Sequence, residues 1–500
     1  MPNVAASIWT HASRNPDRPA VRSLEKSWSY EELRSHVAEW AGALREAGLE
    51  RGDRVVLIAP SVPEFAAVYH GAQAAGIVVV TLNVMSTPAE IRYVLDDSGA
   101  RLVIAWHAAT TAAERAGAEA GVDVWSLEPH APVTCETPLS EPVERDASET
   151  AVLLYTSGTT GKPKGVQLTV SNLLETAEIF IRQLELEPTD AFGTGLPLFH
   201  VFGQCICMNT ILVGGASLSL LSPFEPQAMV RMIRDHELTI VAGVPTMWNY
   251  LLHVAGDSGP ADFANLRLAA SGGASLPVEV IRAFETRFGC TILEGYGLTE
   301  TTGAATYHSP FIEQRVGTTG IALPGGAVEV RGADGQPVAL DEVGEVFITG
   351  PMVMKGYWNR PEATEADLVD GWFRTGDLGA LDADGYLRIV DRAKDLIIRG
   401  GYNVYPREVE EVLYEHPDVV ETAVVGIPDD TYGEEVGAVV VLRPDASPDP
   451  EALRAWLKER LSAYKVPHLY RFADELPKGA TGKILKRAIE WTHDEENNDD

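Results

Sequence analysis

Apolar positions in the first part of the chain alternate between two textures. After Ser29, the residues Leu33, Val37, Trp40 and Leu44 recur three or four apart, which is one face of a helix. Ser29 and Glu32 have the spacing of a capping box that would start it, and Gly48 stands where it should stop. The run VVLIAP (55–60) then contains no polar position, as expected for a strand buried on both faces. Similar runs recur at RLVIAW, AVLLYTS, TIVAGVP, LRLAASGG and TILEGYG, with helix-like segments at 171–186, 225–236 and 277–288. Strands that alternate with helices predict parallel sheets in α/β layers.

The pattern changes twice. From about 310 to 390, Gly- and Asp-rich turns separate short strands such as GEVFITG, which predicts a β-rich subdomain. After DRAKD (391–395) come a helix near 406–415, the strands ETAVVGIPD and EVGAVVVLR, and a helix at 449–461, a compact α+β unit. The expected division is a large part at 1–390, a linker at 391–395 and a small domain at 396–500.

Composition narrows the function. The 500 residues carry a net charge of −32, which would repel phosphates and argues against non-specific nucleic-acid binding. The N-terminus lacks the basic and long apolar regions of a secretory signal, and no apolar run is long enough to span a bilayer, so a cytoplasmic location is expected. The four cysteines, Cys135, Cys205, Cys207 and Cys290, lack a metal-site spacing and read as reduced, mostly buried thiols. In so acidic a chain each conspicuous lysine is informative.

Two of those lysines stand in YTSGTTGKPKG (155–165). A Walker A loop needs four residues between its first glycine and the Gly-Lys pair, with Ser or Thr next; here Gly158 and Gly161 are too close and Pro163 follows Lys162. Hydroxyls, backbone N–H groups and cations after a strand still offer what a triphosphate accepts. This stretch and LPLFH (196–200), SGGASL (271–276), GYGLTE (295–300), DGWFRTGDLG (370–379), DRAKDLIIRGGYNVYP (391–406) and PKGATGKILKR (477–487) occur in the order typical of one group of enzymes. The chain resembles the adenylate-forming superfamily: acyl-CoA synthetases, aryl-CoA ligases, luciferases and peptide-synthetase adenylation domains.

That resemblance implies an α/β fold with two α/β subdomains and a distorted β-barrel, hinged to a small mobile C-terminal domain. It implies that a carboxylic acid reacts with ATP to give acyl-AMP and pyrophosphate, and that coenzyme A then takes the acyl group. Thr156, Ser157, Gly158, Thr159, Thr160, Gly161, Lys162 and Lys164 would form the phosphate loop. Gly273, Ala274, Glu294, Gly295, Gly297 and Thr299 would line the nucleotide, with the Tyr296 ring beneath adenine. Asp377 would take the ribose hydroxyls, Arg392 would assist, and Glu300 would hold Mg2+. Lys483 would be the catalytic lysine, with Thr156 and Glu300 also implied in catalysis. Lys394 would be the hinge, and Arg399, Gly400, Gly401 and Tyr402 would face the pantetheine arm.

For the acyl pocket the expected residues are His200, Val201, Phe202, Val244, Trp248, Gly272 and Gly303, with Met208 and Met247 nearby. LPLFHVFG lacks the aspartate with which peptide-synthetase domains hold an α-amino group. GVPTMW resembles long-chain fatty acyl-CoA synthetases, some of which carry a tryptophan gate at the position of Trp248. A fatty acid is the expected substrate, with an aryl-CoA ligase and a luciferase-like oxygenase as alternatives. A non-catalytic sensor would be expected to lose Lys483 or Glu300, and both are present. The expected assembly is a monomer or homodimer.

Overall fold

The computed structural model describes residues 2–129, 133–156, 162–254, 256, 258–429, 431–447, 449–479 and 482–491. Four sheets organise these residues. The first has seven strands, and five of them, Thr150–Thr156, Val78–Leu82, Arg54–Ile58, Leu102–Trp106 and the edge strand Asp123–Leu127, are successive parallel neighbours. Lys164–Thr169 adds antiparallel to Thr150–Thr156, so the stretch at 155–165 bridges a strand pair.

A second sheet has nine strands. Its parallel centre runs through Ile292–Tyr296, Leu268–Ser271, Ile240–Gly243, Ala191–Thr194 and Ser217–Leu220. The apolar runs of the sequence are these central strands, every residue of Arg54–Ile58 except the first being buried. Helix Pro63–Ala74 is buried along its whole length and joins a core shared by both sheets. The expected capping box holds: Ser29 and Glu32 bond reciprocally at the start of helix Tyr30–Glu46.

A third, antiparallel sheet is built from Ala327–Arg331, Gly344–Thr349, Leu368–Val369, Trp372–Leu381 and Leu387–Arg392. The chain then makes a turn closed by the Asp395 N–H on the Arg392 carbonyl (3.0 Å) and enters the fourth sheet at Ile397–Arg399. There the long pair Val419–Asp429 and Gly433–Leu442 packs with helices Pro406–Tyr414 and Pro450–Lys458 around a separate apolar cluster. Among the described residues no helix is long and apolar enough to cross a membrane. The cysteines are free thiols, three of them buried.

Candidate active site

The charged side of the site is assembled where three sheets meet. Ile292–Tyr296 ends on Tyr296, whose hydroxyl donates to Asp377 Oδ2 at 2.6 Å. Asp377 lies on the third sheet in register with Arg392 of the neighbouring strand, whose Nε stands 3.4 Å from Asp377 Oδ1. The Asp377 carboxyl is buried, and burial raises its pKa while Arg392 opposes the rise. Arg392 thus arrives one strand before the chain leaves for the fourth sheet.

Lys483 reaches the same place from the opposite end of the chain. It sits on the return of a tight turn in which Gly479 N–H donates to the Lys483 carbonyl (2.8 Å) and Gly482 N–H to the Gly479 carbonyl (2.9 Å). Thr246 Oγ1 donates to the Gly482 carbonyl at 3.2 Å, pinning this turn to the helix that follows strand Ile240–Gly243. Gly482 has φ +78°, and a Cβ there would meet Thr246 Oγ1 at 2.8 Å, so glycine is required by conformation and contact together. Burial pushes the Lys483 ammonium down to about 8, with Arg392 adding to the fall and Asp377 resisting it. Burial pushes His200 down to about 4, helped by the Lys483 charge, so its ring is neutral near pH 7. Asp377, Arg392, His200 and Lys483 therefore share one electrostatic neighbourhood.

Glu300 lies on the short helix after Tyr296 and accepts from the Tyr357 hydroxyl at 3.2 Å. Lys164 Nζ lies 4.4 Å from the centre of the Tyr357 ring and 3.3 Å from Asp367. Burial raises the Glu300 pKa, the setting in which an added cation most favours the charged carboxylate. Among the described residues no group of three or more metal-ligating side chains forms a cage. One carboxylate fits an ion shared with phosphates, the usual manner of Mg2+. Thr156 closes the strand pair opposite Lys164, and Lys162 is exposed. Ser157, Gly158, Thr159, Thr160 and Gly161 lie outside the described residues.

Beside the charged cluster lies a narrow, mostly apolar cavity of about 30 Å³, room for a few water molecules. Phe180 from helix Val170–Gln183 and Leu184 just past its end, Phe192, and Phe202 with Ile206 from a π-helical turn wall it. The floor is Ala242, Ala270, Ser271, Gly272, Gly273 and Gly295 at the ends of the parallel strands, where open α/β sheets place ligands. Of the expected acyl residues, Phe202, Gly272 and Gly303 line this cavity. Val201 packs beneath Gly303, with its Cγ2 3.5 Å from where a Cβ would stand.

Trp248 does not line the cavity. Its indole is 1% exposed and packs edge-on against Phe284, ring centres 5.3 Å apart, because the helix Pro245–Val254 turns that face toward Val278–Phe288. Val244 touches the Lys483 turn instead, its Cγ2 3.3 Å from a Cβ at Gly482. Met208 and Met247 are core residues. Glu294 is buried beneath the 271–276 loop, its Oε1 accepting from Leu276 N–H at 3.1 Å, and burial pushes its carboxyl up to about 7. Ala274 is half-buried on that loop, and Gly297 is dictated by a backbone crossing, since a Cβ would fall 2.3 Å from Ala304 Cα. Thr299 opens the helix that carries Glu300. Sequence reasoning missed Phe180, Leu184, Phe192, Ile206 and Tyr307; no motif contains them, and only the strand and helix phases together turn them inward.

The remaining expected residues stand on the fourth sheet. Arg399 is paired with Glu435 through bonds of 2.5 and 2.7 Å, and Gly400 and Gly401, with φ +57° and +82°, make the two-residue turn to Tyr402. Tyr402 is 61% exposed. Lys394 is exposed in the turn between the third and fourth sheets.

Residues 8–358 match the AMP-binding enzyme family and residues 408–483 the C-terminal domain of AMP-binding enzymes, and the chain belongs to this family. It is 38% identical over 496 residues to a feruloyl-CoA synthase of an Amycolatopsis species, covering 98% of this chain and 99% of the relative. It is 36% identical over 520 residues to a long-chain-fatty-acid–CoA ligase of Bacillus subtilis, covering 96% and 92%. The crystal structure of ATP-bound MatB from Rhodopseudomonas palustris superposes with a TM-score of 0.88 at 31% identity, covering 97% of this chain and 98% of that one. The chain is an acid–CoA ligase that uses ATP.

Proposed function

We propose that this ligase activates a compact, largely apolar carboxylic acid in two half-reactions and exchanges the Lys483 turn for the 400–401 hairpin between them. In the first, a carboxylate oxygen bonds to the α-phosphorus of ATP and the bond to the β-phosphate bridge breaks, releasing pyrophosphate. Lys483 would neutralise charge between the two anions as they approach. Asp377 and Arg392 would hold the ribose side, and Lys162, Lys164 and the 156–161 segment the phosphates. Mg2+ held by Glu300 and phosphate oxygens would screen the triphosphate charge. In the second half-reaction the coenzyme A sulfur bonds to the acyl carbon, AMP leaves and the thiol proton is released.

The observation that supports this reading is the pinned turn. Thr246 and Val244 hold Gly482 so that Lys483 lies with Asp377, Arg392 and His200, the arrangement the first half-reaction needs. A lysine so placed would obstruct a thiol. Lys394, in the turn between sheets, would absorb the backbone change that withdraws it. Sequence likeness does not choose the acid, since relatives named for an aromatic and for a long-chain acid stand at 38% and 36% identity. A compact acid is what the narrow cavity supports: Trp248 is not among the residues that line it, and its walls include Phe180, Phe192 and Phe202. A fatty acid enters this reading as a short or medium chain, and an aromatic acid as a ring set among those aromatic walls.

Pyrophosphate release should be measured over C2 to C18 fatty acids, benzoic acids and cinnamic acids, with and without coenzyme A. Release without coenzyme A, followed by AMP and thioester when it is added, with activity greatest for compact acids, is expected. Formation of ADP would end the two-step reading, and a maximum at C16 or C18 would end the compact-acid reading.

A further inference from the structure

Away from the reacting groups, the C-terminal body meets the large part of the chain at a cluster of charges that the two half-reactions do not use. Arg407 is the second residue of helix Pro406–Tyr414, which packs on the fourth sheet. Its guanidinium donates through Nη1 to the Ile389 carbonyl, and its backbone N–H donates to Asp391 Oδ2 at 3.0 Å. Its Nε lies 3.6 Å from Glu411 Oε1, one helical turn on. Glu411 Oε2 crosses the boundary and accepts from the Val278 N–H at 3.5 Å, where helix Val278–Phe288 begins. Glu294 faces this group from beneath the 271–276 loop, its residue 3% exposed and its Oε2 without a hydrogen-bond partner among the described residues. Burial raises the pKa of both carboxyls, and in each the Arg407 charge is the strongest influence against the rise.

One cation therefore serves two largely buried carboxyls, one from each body. Other contacts across the boundary, such as Asn249 Nδ2 on the Val420 carbonyl (3.2 Å) and Lys478 Nζ on the Tyr250 hydroxyl (2.8 Å), are single hydrogen bonds at partly exposed side chains. Taking the cation from a buried group costs more than losing one such bond, because the carboxyls stay behind uncompensated. The order along the chain adds the second half of the argument. Glu294, Ile389 and Asp391 precede Lys394, whereas Arg407 and Glu411 follow it, so a rotation at Lys394 pulls the group apart while it withdraws Lys483. We infer that Arg407, set between Glu294 and Glu411, is the positioning residue that holds the C-terminal body in the pose that places Lys483, and that its release accompanies passage to the thioester step. This deepens the two-pose reading and rests on it. Arg407 acts through Lys483 and takes no part in the bond changes.

The test measures both half-reactions in each preparation of the full chain, with whichever acid of the panel above releases pyrophosphate fastest. The first rate is pyrophosphate release without coenzyme A; the second is thioester formation from the supplied acyl-AMP of that acid and coenzyme A. Their ratio cancels any loss of folded protein, which a merely structural role would show in both rates alike. Arg407→Met keeps the stem and loses the charge, and it should lower the ratio of first to second rate by about tenfold or more. Full burial would make the loss larger, but the Arg407 and Glu411 side chains are 14% and 29% exposed. Two variants test the cause. Arg407→Lys returns a charge, and Arg407→Met with Glu294→Gln removes a carboxylate that the first change strands; at least one of them should recover part of the ratio. A ratio for Arg407→Met within about twofold of wild type, or recovery in neither variant, overturns the inference. If Lys483→Ala lowers both half-reactions equally, the two-pose reading has failed instead.

Discussion

Two glycine turns of the C-terminal region occupy opposite environments. Gly482 is pressed against Thr246 and Val244, and the Lys483 beside it is buried enough to fall to about 8. The turn at 400–401 stands in solvent, with Ile398 52% and Tyr402 61% exposed and no atom within 4 Å of a Cβ at Gly401. Both use positive-φ glycine, yet only one is held by the large part of the chain. The difference is what an enzyme needs if one body carries two tools and only one can occupy the site at a time.

The sharpest way to break the comparison is Lys483→Ala. Acyl-AMP formation should fall about 10²- to 10³-fold, the usual loss when one group aimed at developing charge is removed. Thioester formation from supplied acyl-AMP should persist, and equal loss in both would sink the division of labour. A smaller effect comes from pH. Lys483 is charged below about 8 and neutral above it, so activity in the first half-reaction should decline as pH rises through 8, by about tenfold at pH 9. His200, pushed down to about 4, stays neutral through this window and adds no limb. The measurement is kcat/KM for pyrophosphate exchange without coenzyme A, so that no thiol titrates; a flat profile to pH 10 would contradict the assignment.

The central strands and the helices were legible because burial on both faces leaves an unbroken apolar run and helix phase leaves a stripe. The charged cluster was marked by motifs: Tyr296 and Arg392 each end a strand and Asp377 lies within Trp372–Leu381, all three inside short motifs. What the sequence hid was long-range. The hairpin Pro19–Arg22 with Ser27–Ser29 adds to the edge of the second sheet by pairing with Ser217–Leu220, a partnership no local period encodes. Trp248 is expected in the acyl pocket from its neighbours in sequence, but the phase of its helix turns it toward Phe284 and it does not line the cavity. Tyr307 lies on a two-residue strand, too short for any pattern, and reaches the cavity only because Gly295 beside it has no side chain.

The two turns can next be set against each other by one substitution. Alanine at a left-handed position is strained by about 1–2 kcal/mol, roughly a five- to thirtyfold change in population. Gly482→Ala should slow acyl-AMP formation by that factor and spare the thioester step. Gly401→Ala, where a Cβ meets nothing within 4 Å, should do the reverse. If both slow the same half-reaction, the turns do not alternate.

The smallest effect tests whether the pinned contact is the one used in catalysis. Thr246→Ala removes one half-buried bond of 3.2 Å to the Gly482 carbonyl, about 0.5–1.5 kcal/mol, so acyl-AMP formation should fall two- to tenfold and Thr246→Ser should restore it. The same hydroxyl is the atom a Cβ at Gly482 would meet at 2.8 Å. Combining Thr246→Ala with Gly482→Ala relieves that clash, so the double variant should lose less than the sum of the single losses. Strict additivity would mean that Thr246 and Gly482 are apart when acyl-AMP is made, and that the lysine reaches the site along another path.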